Sequence, residues 1–134
     1  MIRLINAVKD NTHIQILSMS NIDMPDSVAK NIIPMLEENR TLLTLNIESN
    51  LLTSPMIADI CRATLNNQTL IDLRLSNQRS QILGTKVEME IANIVAQNST
   101  ILRLGLHLHT LGPRSKIQDV LTRNWDQRKF FYDI

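Results

Sequence analysis

The stretch Asn39-Arg-Thr-Leu-Leu-Thr-Leu-Asn-Ile-Glu-Ser-Asn-Leu-Leu52 matches the leucine-rich-repeat pattern L-x-x-L-x-L-x-x-N-x-L at every defined position. In this pattern a short strand carries apolar residues on one face and polar residues on the other. We expect Leu45 and Ile47 to point inward, and Asn46 and Glu48 to point outward. A unit of this kind cannot bury its apolar face alone, so the stretch predicts neighbouring units that stack against it.

Three further segments align with this stretch without gaps. Each of the four segments begins with an asparagine: Asn11, Asn39, Asn67 and Asn98. The first two intervals are equal and the last is slightly longer, and self-similarity at such a period is typical of solenoid proteins. The later asparagine of the pattern, Asn50, is less regular in the other units. Asn21 and Asn77 stand one residue early, and His109 takes its place in the fourth unit.

The stretches between these segments carry mostly apolar residues at a spacing of four, which is typical of one face of a helix. Three such sets stand at equivalent distances before the asparagines: Val28, Ile32 and Leu36; Met56, Ile60 and Thr64; Val87, Ile91 and Val95. Asp26 and Ser54 are predicted helix N-caps, and Pro55 suits a first helical position. Each unit is therefore predicted to be a short strand followed by a helix.

This repeat predicts an α/β fold: a right-handed leucine-rich-repeat solenoid of the ribonuclease-inhibitor-like type. Parallel strands should line its concave side and helices its convex side. We expect residues 1–134 to form a single domain. Its predicted parts are a partial first helix over 1–10, repeats over about 11–38, 39–66, 67–97 and 98–112, and a C-terminal helix over about 113–129.

The two ends of the chain are predicted to differ from the interior repeats. Leu4 and Val8 stand where a helix stripe should lie, with no strand before them, so we expect further repeats upstream in a longer protein. The helix after Gly112-Pro113 should bury its apolar positions, which are Ile117, Val120, Leu121 and Trp125. All aromatic residues lie in this last part, at Trp125, Phe130, Phe131 and Tyr132, which suits a terminal cap of the core.

The third repeat is three residues longer than its predecessors. Strand residues Leu45 and Leu73 keep the regular spacing, whereas helix residues Met56 and Val87 are three positions further apart than that spacing. The extra length must therefore enlarge the loop over residues 77–84, which leaves the strand and enters the helix. Insertions in solenoids usually lie on one rim, and often on the binding rim.

Composition limits the classes of function. The net charge of +1 argues against a general nucleic-acid binder, although residues 103–134 carry six basic and three acidic side chains. That basic end could meet an acidic protein surface. One cysteine, Cys61, excludes a disulfide within the chain, and no signal peptide or membrane-length apolar run is present. We expect a cytoplasmic monomer that binds neither nucleic acid nor a membrane.

Signals for catalysis and metal binding are weak. No phosphate loop, dinucleotide fingerprint or nucleophile elbow is present. His107 and His109 share a strand face, but a zinc site usually needs three or four protein ligands. Cys61 suits buried apolar packing, and Glu88 and Glu90 suit the dipole at a helix start. We expect no enzyme activity, no catalytic residue, no metal and no cofactor, and instead a surface that binds another protein.

Five segments are not general repeat consensus: Leu45-Asn-Ile-Glu-Ser-Asn50, Asn77-Gln-Arg79, Leu83-Gly-Thr85, Val87-Glu-Met-Glu-Ile-Ala92 and Gly112-Pro-Arg114. These segments resemble the tropomodulin family, which includes leiomodin. The likeness covers nearly the whole chain and includes the enlarged third loop. It implies the C-terminal leucine-rich-repeat domain of a protein that caps the pointed end of actin filaments and blocks subunit exchange sterically.

The resemblance also implies partners and contact residues. Actin is the expected partner, on cytoplasmic actin filaments, and tropomyosin would be bound only by parent regions that this chain does not match. In the family, the actin site of this domain involves strand-to-helix loops and the final helix. The matching positions are Glu48, Asn77, Gln78, Arg79, Thr85, Arg114, Arg123 and Asn124. Asn50 is expected to bond backbone within the solenoid instead.

Two alternatives remain open at this stage. The chain could be a generic leucine-rich-repeat adaptor that binds a protein through its concave face, in which case Asn46 and Arg74 should matter more than Arg79 and Arg114. It could also come from a leiomodin-like actin nucleator. The C-terminal residues 126–134 lack the strongly basic run in which relatives tend to end, which leaves the contribution of the tail open.

Overall fold

Four short parallel strands alternate with helices along the described chain. The computed structural model describes residues 1–79 and 82–132, with side chains as far as residue 129. The strands are β1 (Ile16–Ser18), β2 (Thr44–Asn46), β3 (Asp72–Arg74) and β4 (Arg103–Gly105). The helices are α1 (Ile2–Asp10), α2 (Asp26–Ala29), α3 (Ile32–Glu38), α4 (Ser54–Ala63), α5 (Thr85–Val95) and α6 (Leu111–Tyr132), with a 3₁₀ turn (Thr64–Asn66) after α4. None of these helices is long and apolar enough to span a bilayer.

The sheet confirms the register that the repeat predicts. Its order is β1-β2-β3-β4, all neighbours are parallel, and four leucines face one another across it: Leu17, Leu45, Leu73 and Leu104. The starts of β2 and β3 keep the regular repeat spacing, whereas α4 and α5, which begin at Ser54 and Thr85, are further apart by three positions. The additional residues therefore lie between β3 and α5, as predicted.

An aliphatic core lies between the sheet and the helices. Leu45, Ile47 and Leu75 on the inner face of the sheet are fully buried, and so is Ile60 on the helix side. Burying one such side chain contributes roughly 1.5–3 kcal/mol, so the stacked leucines stabilise the fold strongly. Leu104 in β4 is only partly buried, because β4 is the last strand of the sheet and has one neighbour.

The helical segment of the first repeat is divided into α2 and α3, which the apolar stripe did not predict. Pro34 gives the physical reason. It has no N–H to donate, and its ring would collide with the carbonyl of Lys30 in a continuous helix. Asn31 lies at the break, and its Nδ2 donates to the Val28 carbonyl at 3.0 Å. The backbone N–H of Asn31 donates to the same carbonyl at 3.1 Å, so Asn31 closes the end of α2 with two hydrogen bonds.

Helix α1 buries a different stripe from the one predicted. Ile5 and Val8 are buried, whereas Leu4 is 47% exposed. Among the described elements, α1 packs chiefly against α3, so only the side of α1 that faces α3 is covered. The prediction for Val8 is therefore confirmed, and the prediction for Leu4 is wrong.

Helix α6 begins at Leu111, two residues earlier than predicted, and includes Gly112-Pro113 in its first turn. Proline is tolerated there because the N–H groups of a first turn have no partner within the helix. Ile117 and Val120 are buried as expected, but Trp125 is 48% exposed. The predicted cap role of Phe130, Phe131 and Tyr132 lies outside the described side chains.

A row of buried asparagine amides joins consecutive repeats at the turns from helix to strand. We call this row, Asn39, Asn67, Asn98 and Asn124, the helix-to-strand ladder. Nδ2 of Asn67 donates to the carbonyls of Leu36 and Asn39 in the preceding repeat, at 2.8 and 3.0 Å. Its Oδ1 accepts the backbone N–H groups of Thr69 and Leu70. Asn39 makes equivalent bonds one repeat earlier. Asn98 accepts the equivalent N–H groups, but its Nδ2 donates to both the carbonyl and the hydroxyl of Thr64.

The ladder also explains the three Asn-x-Thr triplets of the sequence, which begin at Asn39, Asn67 and Asn98. N-glycosylation modifies the asparagine side chain and is found on exposed surfaces. Here the three asparagine side chains are buried and their amides are bonded. The triplets therefore follow from the architecture of the turn and are not accessible acceptor sites.

Asp26 and Ser54 do not act as the predicted N-caps. Each is the first residue of its helix, preceded by Pro25 and Thr53 respectively, and no side chain caps either helix. The carboxylate of Asp26 instead accepts the backbone N–H and the hydroxyl of Thr53, at 3.0 and 2.6 Å. It thereby ties the first repeat to the second.

The single thiol is expected to be unreactive in the folded protein. Cys61 lies on the inner side of α4 and is buried, which confirms its predicted packing role. Burial raises the pKa of this thiol to about 12, against a smaller opposing effect of Arg62. Because the thiolate is the reactive form, we expect no reaction with Ellman's reagent at about pH 8 in native buffer, and full reaction in denaturing urea. Rapid labelling of the native protein would contradict this assignment.

Candidate functional site

The turns from strand to helix form one edge of the domain, which we call the upper rim. It comprises residues 19–25, 47–53, 75–79, 82–84 and 106–110. Three of its residues, at equivalent positions in successive repeats, have positive φ angles: Asn21 (54°), Ser49 (57°) and Asn77 (60°). Asparagine tolerates this left-handed conformation better than most residues. This requirement explains why Asn21 and Asn77 stand one residue before the asparagine of the pattern.

A second set of buried amides lies beneath the upper rim. Asn50 donates to backbone carbonyls in its own and the preceding repeat and accepts two backbone N–H groups, which confirms its predicted structural role. Gln78 stands at the equivalent position of the next repeat and makes equivalent bonds. Its Nε2 donates to the carbonyls of Ile47 and Leu75, at 2.8 and 3.1 Å, and its Oε1 accepts the N–H of Leu52. Gln78 therefore does in the third repeat what Asn50 does in the second.

Glu88 takes over this function in the last repeat, where His109 stands at the position equivalent to Asn50. Its buried carboxylate accepts the backbone N–H groups of His109 and Thr110 and the hydroxyl of Thr110. Burial raises the pKa of this carboxyl, but the hydrogen bonds outweigh that effect, so the net pKa lies below its ordinary value. Glu88 thus fixes the turn that starts α6, beyond the helix-dipole role predicted for it. Glu90 is exposed and forms an ion pair with Arg62.

Five of the eight residues that the resemblance selected lie on or beside the upper rim with exposed or half-buried side chains: Glu48, Asn77, Arg79, Thr85 and Arg114. Hydrogen bonds connect the turns that carry them. Nδ2 of Asn77 donates to Oγ of Ser49 at 3.0 Å, and the hydroxyls of Thr85 and Thr110 are 3.4 Å apart. The N–H of Arg114 donates to the Thr110 carbonyl. The rim therefore brings together polar residues from neighbouring repeats.

The other three selected residues have roles within the fold. Gln78 and Asn124 are 4% and 1% exposed, so the prediction that they face a partner is wrong. Asn124 is the last rung of the helix-to-strand ladder, because its Nδ2 donates to the carbonyls of Asn98 and Ile101. Arg123 is exposed, but its guanidinium already donates to the Asn98 carbonyl at 2.8 Å and to a second carbonyl nearby.

Glu48 faces the concave side of the sheet. A Cβ added to Gly105 would lie 3.2 Å from Oε1 of Glu48 and 3.3 Å from Cα of Arg74, so glycine leaves room for both neighbours. The guanidinium of Arg74 also holds the carboxylate of Asp72 at 3.1 Å. The centre of the concave face therefore carries charges that neutralise one another.

The structure adds exposed apolar residues that the sequence analysis did not select. Ile82, Leu111 and Met89 are 72%, 69% and 53% exposed. Ile82 and Leu111 stand within three residues of Thr85 and Arg114 in the sequence. Exposed apolar side chains among polar ones are found at protein interfaces. One of the three could have been identified from the sequence. Met89 is apolar but lies outside the predicted apolar stripe of its helix, which indicates an exposed apolar side chain.

His107 and His109 contact each other edge to face, with ring centroids 4.7 Å apart. Within residues 1–79 and 82–132, no group of three or more His, Cys, Asp or Glu side chains is placed to hold a metal ion. The two histidines are thus neighbours in the turn that follows β4, and not on a strand face as predicted, because β4 ends at Gly105.

Comparison with known proteins gives matches over most of the chain. A family model described as the TMOD/LMOD leucine-rich domain matches residues 1–127. Leiomodin-3 from Mus musculus is 43% identical over 128 residues, which are 96% of this chain and 22% of that protein. Leiomodin-2 from Homo sapiens is 42% identical over 127 residues, which are 95% of this chain and 23% of that protein. The chain thus spans less than a quarter of the length of these curated relatives.

Two solved structures superpose closely on this chain. A structure described as leiomodin-1 actin-binding site 2 gives a TM-score of 0.92 at 41% identity and covers 96% of this chain and 73% of its own. The tropomodulin C-terminal domain from Caenorhabditis elegans gives a TM-score of 0.92 at 32% identity and covers 95% of this chain and 76% of its own. These similarities confirm the predicted leucine-rich-repeat fold.

Proposed function

The chain belongs to the family of tropomodulin and leiomodin leucine-rich domains, and on this premise we propose that it binds actin. The observation that carries the proposal is the close superposition with a domain that is itself described as an actin-binding site. The superposition covers 96% of this chain, so the proposal can be carried over to most of its length.

The proposed contact surface comprises the exposed part of the upper rim together with the first two turns of α5 and the first turn of α6 beside it. Its polar members are Glu48, Asn77, Arg79, Thr85 and Arg114, and its apolar members are Ile82, Met89 and Leu111. Arginines suit such a surface because a guanidinium can hold a carboxylate with two parallel hydrogen bonds. The apolar members supply the area whose removal from water drives association. Gln78 and Asn124 act indirectly, by holding the turns and α6 in place.

The proposed mechanism is steric and needs no chemistry. A stiff domain that occupies the exposed surfaces of the terminal subunits at the pointed end would exclude the next subunit. Such a domain would work on cytoplasmic actin filaments. Tropomyosin contacts would belong to other regions of a parent protein. The isolated chain should cap weakly, because linked sites gain most of their affinity from a high effective concentration.

The direct test is pyrene-actin elongation from filaments whose barbed ends are blocked, so that growth occurs only at pointed ends. We expect this chain to slow elongation in a saturable way at high micromolar concentration. Co-sedimentation with filaments and binding to monomers would then separate filament-end binding from monomer sequestration. If the chain neither slows elongation nor binds actin in either direct assay, the proposal is rejected.

Removing two rim cations is expected to weaken actin binding. The double variant Arg79→Ala/Arg114→Ala should bind about tenfold or more weakly, because arginines at the centre of an interface often carry a large share of the affinity. Arg3→Ala/Lys30→Ala is the matched control, since it removes two exposed cations from the opposite end of the solenoid. An equal loss in both double variants would indicate a nonspecific charge effect and would contradict a rim site.

A second candidate is a contribution to filament nucleation, because the curated relatives reported above are leiomodins. In that case the same surface would hold an actin subunit during assembly of a new filament. Bulk polymerisation of pyrene-actin separates the candidates. A nucleating parent protein should shorten the lag phase, whereas a capping one should leave the lag unchanged and slow pointed-end growth.

A further inference from the structure

A groove with two parts lies on the helix side of the last two repeats. One part, of about 360 Å³, lies between α5 and the first turns of α6 and is lined by Met89, Pro113 and Lys116. The other part, of about 710 Å³, follows the outer face of α5 and is lined by Lys86, Met89 and Asn93. Because Met89 and Asn93 line both parts, we call them together the Met89 groove.

The floor of this groove is apolar. Ala92, Ile94 and Pro113 line it and are buried, whereas Met89 is 53% exposed. Methionine has a flexible, polarisable side chain that adapts to partners of different shape, and it is common at binding surfaces. The groove therefore offers a surface from which one apolar side chain of a partner could displace water.

Two lysines border this floor, and within residues 1–79 and 82–129 neither has an anionic partner. Lys86 forms no ion pair there, and Nζ of Lys116 donates to the neutral amide oxygen of Asn93 at 2.6 Å. Glu90 also lines the groove, but its carboxylate forms an ion pair with the guanidinium of Arg62. The border is therefore net positive, with two cations against one carboxylate that is already paired.

The groove is continuous with the proposed contact surface. Met89 belongs to both, and Thr85 and Thr110 line the groove where it meets the upper rim. Arg114 stands two residues before Lys116 on α6. A partner that covers the exposed part of the rim would thus reach the groove without crossing any other part of the surface.

We infer that the Met89 groove binds an acidic segment of the actin subunit. An apolar side chain of that segment would pack against Met89 and Pro113, and neighbouring carboxylates would pair with Lys86 and Lys116. A neutral or basic segment would leave both ammonium groups without a partner and would partly remove them from water, which is costly. This inference rests on the proposed actin binding and adds to it the chemistry of the segment that actin presents.

Zero-length cross-linking tests the pairing directly. A carbodiimide joins a lysine amine to a carboxylate, with loss of water, where the two groups are in contact. The reaction is run on the 134-residue chain with the form of actin, monomer or filament, that binds in the assays described above. Mass spectrometry should map linkages from Lys86 or Lys116 to an aspartate or glutamate of actin. Lys30, an exposed lysine at the opposite end of the solenoid, should give none.

Charge reversal measures how much the two lysines contribute. Lys86→Glu/Lys116→Glu should weaken actin binding by about tenfold or more. Arg3→Glu/Lys30→Glu is the matched control, because it makes the same change of charge on exposed side chains at the opposite end of the solenoid. At about 0.15 M salt it should weaken binding by less than about threefold, since exposed charges are screened beyond about 8 Å.

Met89→Ala tests the apolar contact. The variant should bind actin about fivefold more weakly, because it removes most of the apolar side chain that the segment would cover. Leu4→Ala is the control, since Leu4 is 47% exposed on α1 and lies outside the groove. It should alter binding by less than about twofold, and circular dichroism should show both variants to be folded.

Failure of this inference and failure of the proposed function would look different. If the wild-type chain binds actin and Lys86→Glu/Lys116→Glu binds it as tightly, the inference is overturned and the actin proposal stands. Equal weakening by the two charge-reversed variants, or linkages that include Lys30 but neither Lys86 nor Lys116, would overturn it as well. If the wild-type chain binds no actin, the inference and the proposed function are rejected together.

Discussion

Asn67→Asp, an almost isosteric change, is expected to lower the free energy of unfolding by about 3–5 kcal/mol. Nδ2 of Asn67 donates to the carbonyls of Leu36 and Asn39, and its Oδ1 accepts the N–H groups of Thr69 and Leu70. The substitution keeps the acceptor but replaces both donated bonds with a negative charge that faces two carbonyl oxygens. Because the site is buried, water cannot compensate for the lost bonds.

The measurement is urea unfolding at neutral pH, followed by far-ultraviolet circular dichroism. Asn66→Asp is the matched control, since it introduces the same charge one residue earlier on an exposed side chain. It should change the free energy of unfolding by less than about 0.5 kcal/mol. If the two variants were equally stable, the ladder would not hold the repeats together in the way described.

Glu88→Gln should lower the free energy of unfolding by about 2–3 kcal/mol at neutral pH. The wild-type carboxylate accepts three hydrogen bonds from His109 and Thr110. A glutamine can accept with its oxygen only, and its NH₂ group would be directed at donors. Glu90→Gln is the control, because Glu90 is exposed and its ion pair with Arg62 should contribute less than about 1 kcal/mol.

The contribution of Glu88 should also depend on pH in a defined direction. Its folded-state pKa lies below the ordinary value near 4.5, so the folded state holds the proton less tightly than the unfolded state does. The stabilisation is therefore complete above that ordinary pKa and is lost as the pH falls through the lower, folded-state pKa. The difference between wild type and Glu88→Gln should be constant from neutral pH to about 5 and should shrink in more acidic solution. A difference that grew on acidification would contradict the assignment.

The repeat made the order of strands and helices and the strand register predictable. Two equal intervals followed by a longer one fix the strand register and the position of the enlarged loop, because every strand must place a leucine in the same layer. The division between α2 and α3 could also have been read from Pro34, whose effect on a helix is local. The buried face of α1 was harder to predict, because periodicity alone does not tell which side of a terminal helix is covered.

The candidate site was less predictable. Residue type alone does not show which polar side chains are buried in hydrogen bonds to the backbone of the turns and which are exposed to a partner. Gln78 and Arg79 are adjacent, yet Gln78 is buried among backbone groups and Arg79 is exposed. Counting one repeat period onward from Asn50 would have identified Gln78 as its equivalent. Counting in repeat periods does not identify Asn124, because this member of the helix-to-strand ladder lies within α6 and not in a helix-to-strand turn. The exposure of Trp125 has a related cause. Asn124 lies on the inner face of α6, so the next residue of the helix, Trp125, is turned away from that face.

Because every rung of the helix-to-strand ladder is bonded to the backbone of the previous repeat, one repeat cannot slide or tilt against the next without breaking buried bonds. The buried hydrogen bonds of the ladder thus fix the distance between neighbouring rim turns in the unbound domain. On the proposed function, the domain would fit only an arrangement of actin subunits whose spacing already agrees with the spacing of the rim turns. Selectivity for one geometry of actin would then come from the inflexibility of the arc, and a variant with a loosened ladder should lose discrimination between filament ends and free subunits before it loses contact with either.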